Sequence, residues 1–396
     1  MVEDNRAGAV ADRFFAMVGR SIAAFVAIAI ILDLFSFAAL SLYRRRYQDP
    51  LSPQKSPAYD SETWGAEFWR EQSAFWSKAR SSYFPFTVWT VRKWHGRYIN
   101  TDDNEMGTWR RTIQALSQEC KETTVRKVWL FGGSTVFGTG TPDWETIPSY
   151  LSRKLNADQS SCWEVTNLGA EGYVTNQEAI LLMEQLKAGR RPDIAIFYDG
   201  VNESLVGGLW GNPTKHWSFE LIKAKVEEPG ISRLFLSFLK LSYTVQLIQQ
   251  IKQSHSPDGY PTFSDEELAA NVRATLENYE ANIRVVQMLA KEYRFKTYFF
   301  WQPVLAYGKK PLTPFEEKLK KARDTELGGR LQRVFTGVYA QADRVSKESR
   351  DFFFLGNSFD EVKELMYVDE FHLDPRGNEI MADHIAEALR LGTNTQ

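Results

Sequence analysis

This chain lacks an excess of charge of either sign. Its 48 Lys and Arg nearly balance its 50 Asp and Glu, leaving a net charge of −2, so the basic surplus that accompanies nucleic-acid binding is missing. Cysteine is almost absent. Cys120 and Cys162 are the only two, and with no histidine pattern beside them they make no zinc site. Each stands shortly before an expected strand, so a disulfide is conceivable in an oxidising compartment, and two unrelated buried thiols fit at least as well. Neither a GxxxxGKS/T lysine loop nor a GxGxxG is present, which removes the common nucleotide-phosphate loops. No metal or organic cofactor is implied. Only five histidines are available for acid–base work. A length of 396 residues with 43% hydrophobic content does allow one large α/β domain with appendages.

One long apolar run breaks the polar N-terminal pattern. Residues 21–43 hold a single charge, Asp33, and at ~1.5 Å per residue they are long enough to cross a bilayer. The run is too long for a signal-peptide core and stops at Arg44-Arg45-Arg46 without a cleavage motif, so it reads as an uncleaved anchor behind a tail at 1–20. Asp33 is costly in hydrocarbon, and a membrane-protein partner or a water defect would relieve it. Arg6, Arg13 and Arg20 ahead of the run nearly match Arg44, Arg45, Arg46 and Lys55 behind it, so charge alone does not orient it.

Residues 44–122 form an aromatic linker punctuated by Pro50, Pro53, Pro57 and Pro85. Six of the 12 Trp fall between Trp64 and Trp109. Indole faces stack on sugar rings, yet indoles in such a stretch more commonly pack a core or interface. A helix is expected at 61–80, and the whole region is expected to link the membrane to the α/β core and wrap against it.

From 123 to 396 strands and helices alternate. The strands are expected at 125–131, 164–168, 193–198, 296–301 and 351–355, and the helices at 143–155, 175–187, 265–293 and 375–391. That alternation predicts a mainly parallel, doubly wound sheet covered on both faces. Ser264 with Glu267 caps the long helix, whose Leu268, Val272, Leu276, Tyr279, Ile283 and Val286 form one apolar stripe. An irregular insertion, 203–264, starts at the end of the third strand and is expected to act as a lid or flap.

The chemistry gathers at strand ends. After the first strand, Gly132-Gly133-Ser134 interrupts an apolar run with a glycine turn and places a serine where open α/β sheets bind ligands. A serine needs a base, and the base an orienting carboxylate. Asp369 and His372, three apart on a turn ahead of the last helix, are the candidates. His384 competes but lies within that helix; His95, His216 and His255 lie in aromatic or irregular segments. Oxyanion donors are expected from Gly172, in the turn 167–172, and from Asn202, in the turn 198–202. Asn202-Glu203-Ser204 also matches a glycosylation sequon.

Four turns carrying Ser, Gly, Asn and Asp/His in this order resemble the four blocks of the SGNH (GDSL-type) hydrolase family. The resemblance spans about 125–391, interrupted by the insertion, and departs from the family's GDS triplet at Gly133. It implies a flavodoxin-like three-layer α/β/α sandwich with a five-stranded sheet and a metal-independent serine esterase. Ser134 would be nucleophile, His372 base and Asp369 its orienter, with the oxyanion hole formed by the Ser134 backbone, the Gly172 backbone and the Asn202 amide. Residues 83–111 further resemble the segment ahead of the core in membrane-anchored bacterial members associated with surface polysaccharide. That subgroup implies a single-pass inner-membrane protein with an extracytoplasmic catalytic domain, acting on acylated carbohydrate, O-acetyl foremost. An O-acyltransferase with the same triad, and an idle glycan-binding partner of a membrane complex, are the alternatives.

Overall fold

The structure, a computed structural model, describes residues 2–46, 51–121, 124–158, 162–227, 242–248, 261–326 and 329–393. The chain divides into two compact units. One joins Met1–Asp49 to Glu220–Gly259, and the other joins Pro50–Phe219 to Tyr260–Gln396.

The larger unit is built on five parallel strands: β6 (Arg126–Gly132), β7 (Trp163–Gly169), β8 (Ile194–Asp199), β9 (Lys296–Trp301) and β10 (Phe352–Phe354). Their order is β10-β9-β8-β6-β7, the 2-1-3-4-5 order of flavodoxin-like sheets, with its switch point between β6 and β8. The strands are apolar on both faces because helices cover both. Val128 and Leu130 point to the layer of Ile147–Leu155 and Pro375–Thr393, while Trp129 and Phe131 point to the layer of Thr175–Lys187, Asp265–Tyr293 and Arg330–Glu348. Register places Phe131 beside Phe197 and Phe197 beside Phe299, and the three rings stack with centroids 4.8 and 5.1 Å apart.

Several expected elements need revised bounds or additions. The helix expected from 143 splits at Thr146, whose hydroxyl caps Ile147–Leu155 by accepting from Ser149 N. Pro314–Glu326 and Arg330–Glu348 are further helices that the expected set did not include. Within 201–209, at the head of the expected insertion, Leu205, Val206 and Leu209 are buried; 228–241 and 249–260, with His255, lie outside the described residues.

The aromatic region belongs to the larger unit. Its helix is Gly65–Lys78, and the rest folds into a hairpin of β1 (Ser82–Phe84) with β2 (Val88–Thr90) and a small antiparallel sheet of β3 (Trp94–His95), β4 (Asn100–Asn104) and β5 (Gly107–Arg110). Phe68, Trp69 and Phe75 bury themselves with Tyr98, Phe137 and Val368. The region therefore packs on the segment after Ser134 and on the residue before Asp369. Cys120 and Cys162 are joined in a disulfide, with Cα atoms 5.7 Å apart.

In the smaller unit, one helix, Val2–Arg46, contains the expected span, and Ala16–Leu42 is long and apolar enough to cross a membrane. Asp33, where an outside membrane partner or a water defect is expected to relieve the charge, meets polar groups of its own unit. Its Oδ1 accepts from Ser242 Oγ (2.6 Å) and from Thr244 N (2.9 Å), so the chain itself supplies donors.

Candidate active site

Three side chains meet across the carboxyl edge of β6. Ser134 follows the strand after Gly133 alone, at the head of the short helix Ser134–Phe137. His372 Nε2 lies 2.7 Å from Ser134 Oγ, and His372 Nδ1 lies 2.7 Å from Asp369 Oδ2. Asp369 Oδ1 accepts from the backbone N–H groups of Phe371 (2.8 Å) and His372 (2.7 Å). The turn therefore locks the carboxylate, and the carboxylate locks the imidazole.

Electrostatics suit Asp369 to stabilise an imidazolium once His372 has taken a proton. Burial raises the Asp369 pKa, but His372 and the two backbone donors outweigh it and the net shift is downward. Burial lowers the His372 pKa, yet the Asp369 charge and hydrogen bond outweigh it and the net shift is upward. His384 stands apart from these groups on Pro375–Thr393, and burial lowers its pKa.

Both expected donors border the same cleft. It has a volume of about 580 Å³, and Ser134, Gly172, Asn202 and His372 all line it. Gly172 has φ +76, a conformation that only glycine adopts without strain. Asn202 Nδ2 donates to Tyr173 O at 2.7 Å, and its second amide hydrogen remains for another acceptor. The sequon reading of Asn202 fits poorly, because Ser204 is fully buried and donates to Gly200 O. The departure at Gly133 accompanies a close approach. A Cβ there would lie 2.2 Å from Asn202 Nδ2, so a side chain at this position would require that amide to shift.

Residues beyond the expected set hold the site together. Glu203 Oε2 accepts from Gly200 N (2.8 Å), and its Oε1 accepts from Thr175 N and Oγ1 (both 2.9 Å). One carboxylate thereby ties the Asn202 turn to the segment following Gly172. Arg110, fully buried, pairs with Asp143 at 3.0 Å and donates to the carbonyls of Phe137, Gly138 and Thr141. Glu171 accepts from Trp76 Nε1 (2.7 Å) and Thr139 Oγ1 (3.1 Å) and pairs with Arg80 at 2.7 Å. These bonds bring the aromatic region to the rim, where Trp76, Trp89 and Trp217 line the cleft. The preference for indoles as packing holds for Trp109, which is buried; Trp69 is buried and also borders the cleft, as do Trp76 and Trp89.

A flavodoxin-ordered sheet whose strand-end turns carry serine, glycine, asparagine and an Asp/His pair is the arrangement that the sequence resemblance implied. No protein-family model matches the chain, and no curated protein matches it in sequence. Among solved structures it is similar to an acetyl xylan esterase, with 14% identity over 66% of this chain and 98% of that chain and a TM-score of 0.36. It is also similar to a G-D-S-L family lipolytic protein of Desulfitobacterium hafniense, with 11% identity, coverage of 66% and 98%, and a TM-score of 0.34. An acetylxylan esterase of Geobacillus stearothermophilus gives 14% identity, coverage of 66% and 93%, and a TM-score of 0.33.

Proposed function

We propose that this chain is a membrane-anchored serine esterase that removes acyl groups, O-acetyl foremost, from a cell-envelope carbohydrate. The observation that carries the reading is the continuous contact from Asp369 through His372 to Ser134 at a cleft that Gly172 and Asn202 also line. Ser134 Oγ attacks the ester carbonyl carbon while His372 Nε2 takes its proton. The negative charge that develops on the carbonyl oxygen is met by the N–H groups of Ser134 and Gly172 and by the Asn202 amide. Collapse breaks the bond to the sugar oxygen, which leaves as a hydroxyl carrying the proton from His372. Water, deprotonated by His372, then attacks the acyl-serine; the bond to Ser134 Oγ breaks, His372 returns the proton to that oxygen, and the carboxylic acid departs.

The carbohydrate reading draws support from the indoles of Trp76, Trp89 and Trp217 on the cleft wall, since flat apolar faces suit sugar rings. An extracytoplasmic position draws support from the Cys120–Cys162 disulfide, because such bonds persist in oxidising compartments.

Replacing Ser134 tests the core of this reading. Ser134→Ala is expected to abolish fluorophosphonate labelling and aryl acetate turnover with thermal stability retained; undiminished labelling would remove Ser134 from its role. Acetate release from acetylated envelope polysaccharide, followed by NMR, tests the substrate. The same assay with deacetylated polysaccharide and an added acyl donor would instead reveal net acyl transfer.

A further inference from the structure

The smaller unit contains a contact that an anchor alone does not require. The helix Val2–Arg46 is exposed along most of its apolar length, with Ile31 65% and Phe35 72% accessible. Ser36 and Leu40 are buried and Asp33 is half-buried. These positions, i, i+3 and i+7, form one stripe. Against the Asp33 and Ser36 part of that stripe lies 242–248. Asp33 Oδ1 accepts from Ser242 Oγ and Thr244 N, Ser36 Oγ donates to Thr244 Oγ1 (3.2 Å), and the Phe37 and Tyr243 rings meet edge to face at 4.8 Å.

Depth follows from helix geometry. Eleven positions separate Asp33 from Arg44, or about 16 Å at ~1.5 Å per residue. With Arg44-Arg45-Arg46 at one edge of a hydrocarbon layer about 30 Å thick, Asp33 sits near its middle. Whatever touches Asp33, Ser36 and Phe37 must share that depth. The sequence around the contact suits such a position. From Leu241 to Ile251 there is no Asp, Glu, Lys or Arg, and Lys240 and Lys252 bound the stretch. At about 11 residues it is too short to cross a bilayer and has the length of a re-entrant segment.

We propose that 242–248 is a re-entrant membrane element, held within the hydrocarbon by docking on the anchor through Asp33. Its partner is the acyl-chain region of the bilayer, reached by Tyr243 and Ile248, which are 36% and 49% accessible. Two needs are met at once. Asp33 gains donors that hydrocarbon cannot supply, and the first turn of 243–248 gains an acceptor for an amide that helix geometry leaves unpaired. The conclusion is independent of the esterase reading.

The test uses the full chain in phosphatidylcholine liposomes. Both native cysteines are in the disulfide, so an introduced thiol is labelled alone without reductant. Tyr243→Cys carrying an NBD fluorophore is expected to emit as in an apolar medium and to be quenched more by nitroxides deep on the lipid chains than by iodide in the buffer. Ile28→Cys, on the anchor, should behave likewise. Quenching of position 243 by iodide alone, with position 28 deep, would overturn the re-entrant element; position 28 in water would overturn the anchor beneath it. In the docking arm, Phe37→Cys with Tyr243→Cys should cross-link on mild oxidation. Adding Asp33→Ala should slow cross-linking several-fold, and Asp33→Asn, which keeps an acceptor oxygen, should restore it. An unchanged rate in the Asp33→Ala background would exclude docking through Asp33.

Discussion

The turn after β6, which carries Ser134, is held from outside the sheet, whereas the turn after β8, which carries Asn202, is held from within. Arg110 reaches in from β5 and satisfies three carbonyls between Phe137 and Thr141. Glu203 lies one residue past Asn202 and folds back to accept from Gly200. A guanidinium suits the first task, since a turn that exposes carbonyls needs donors; a carboxylate suits the second, since a turn that exposes amides needs an acceptor. The aromatic region therefore has a structural role, because the Ser134 turn depends on a segment outside the five-stranded sheet.

Removing the outside brace should have the largest effect. Arg110→Met leaves Asp143, 3% exposed, with Asn100 as its remaining side-chain partner and a buried charge uncompensated, at a cost of about 3–5 kcal/mol. Urea denaturation measures it. Arg110→Met combined with Asp143→Leu should recover part of the loss, because the unpaired charge is then gone. A loss below about 1 kcal/mol in the single variant, the size of an ordinary neutral hydrogen bond, would mean that the turn stands without Arg110.

The inside brace should be felt in turnover. Asn202→Ala removes a proposed oxyanion donor and should lower kcat by about 100-fold or more. Glu203→Gln keeps the size but turns a donor toward one of the N–H groups that Glu203 now accepts; a kcat about tenfold lower, with KM within about twofold, matches the loss of one hydrogen bond's worth of positioning. Equal losses in kcat and stability would instead make Glu203 a folding residue. A kcat unchanged by Asn202→Ala would remove Asn202 from the oxyanion hole.

The sheet was legible in the sequence because its strands are short apolar runs with glycine or acidic turns behind them. The helices 175–187 and 265–293 were legible too; the second carries a capping box at Ser264 and Glu267 that the structure contains. The site turns could be read because Ser134, Gly172, Asn202, Asp369 and His372 each follow a strand or precede a helix. Arg330–Glu348 was available to the same reading. Leu331, Val334, Phe335, Val338, Tyr339 and Ala342 are buried at helical spacing, yet Gly337 within the run lowers its helical signal. The braces had no local signature. Arg110 acts on a turn more than 25 residues away, and Glu203 reaches Thr175 across 28, so neither pairing leaves a short-range pattern. The small sheet β3–β5 was hidden because its strands run two to five residues, below the length at which alternation can be recognised.

A smaller effect would sharpen the picture of the inside brace. Behind Asn202, Glu178 faces Asp199 with Glu203 close by, all three buried. Burial first, then the charges of Asp199 and Glu203, push the Glu178 pKa well above the carboxylate range. Neither Glu178 oxygen finds a donor among the described residues, and Asp199 accepts from Tyr279 at 3.1 Å. The Glu178–Asp199 contact becomes a hydrogen bond only when one carboxyl carries a proton. Since the folded state holds that proton and the unfolded chain releases it near pH 4.3, the folded state binds more protons above that pH. Stability must then fall as pH rises from the unfolded pKa toward the folded one. Glu178→Gln offers Asp199 a permanent donor and removes the titration. The variant should gain on the parent between pH 5 and pH 8, by about 1.4 kcal/mol for every tenfold difference in proton affinity between folded and unfolded chain. Thermal unfolding at the two pH values measures the gap. A gap that is the same at both would mean that Glu178 is ionised in the folded protein, and the turn bearing Asn202 would then rest on three charges rather than on a shared proton.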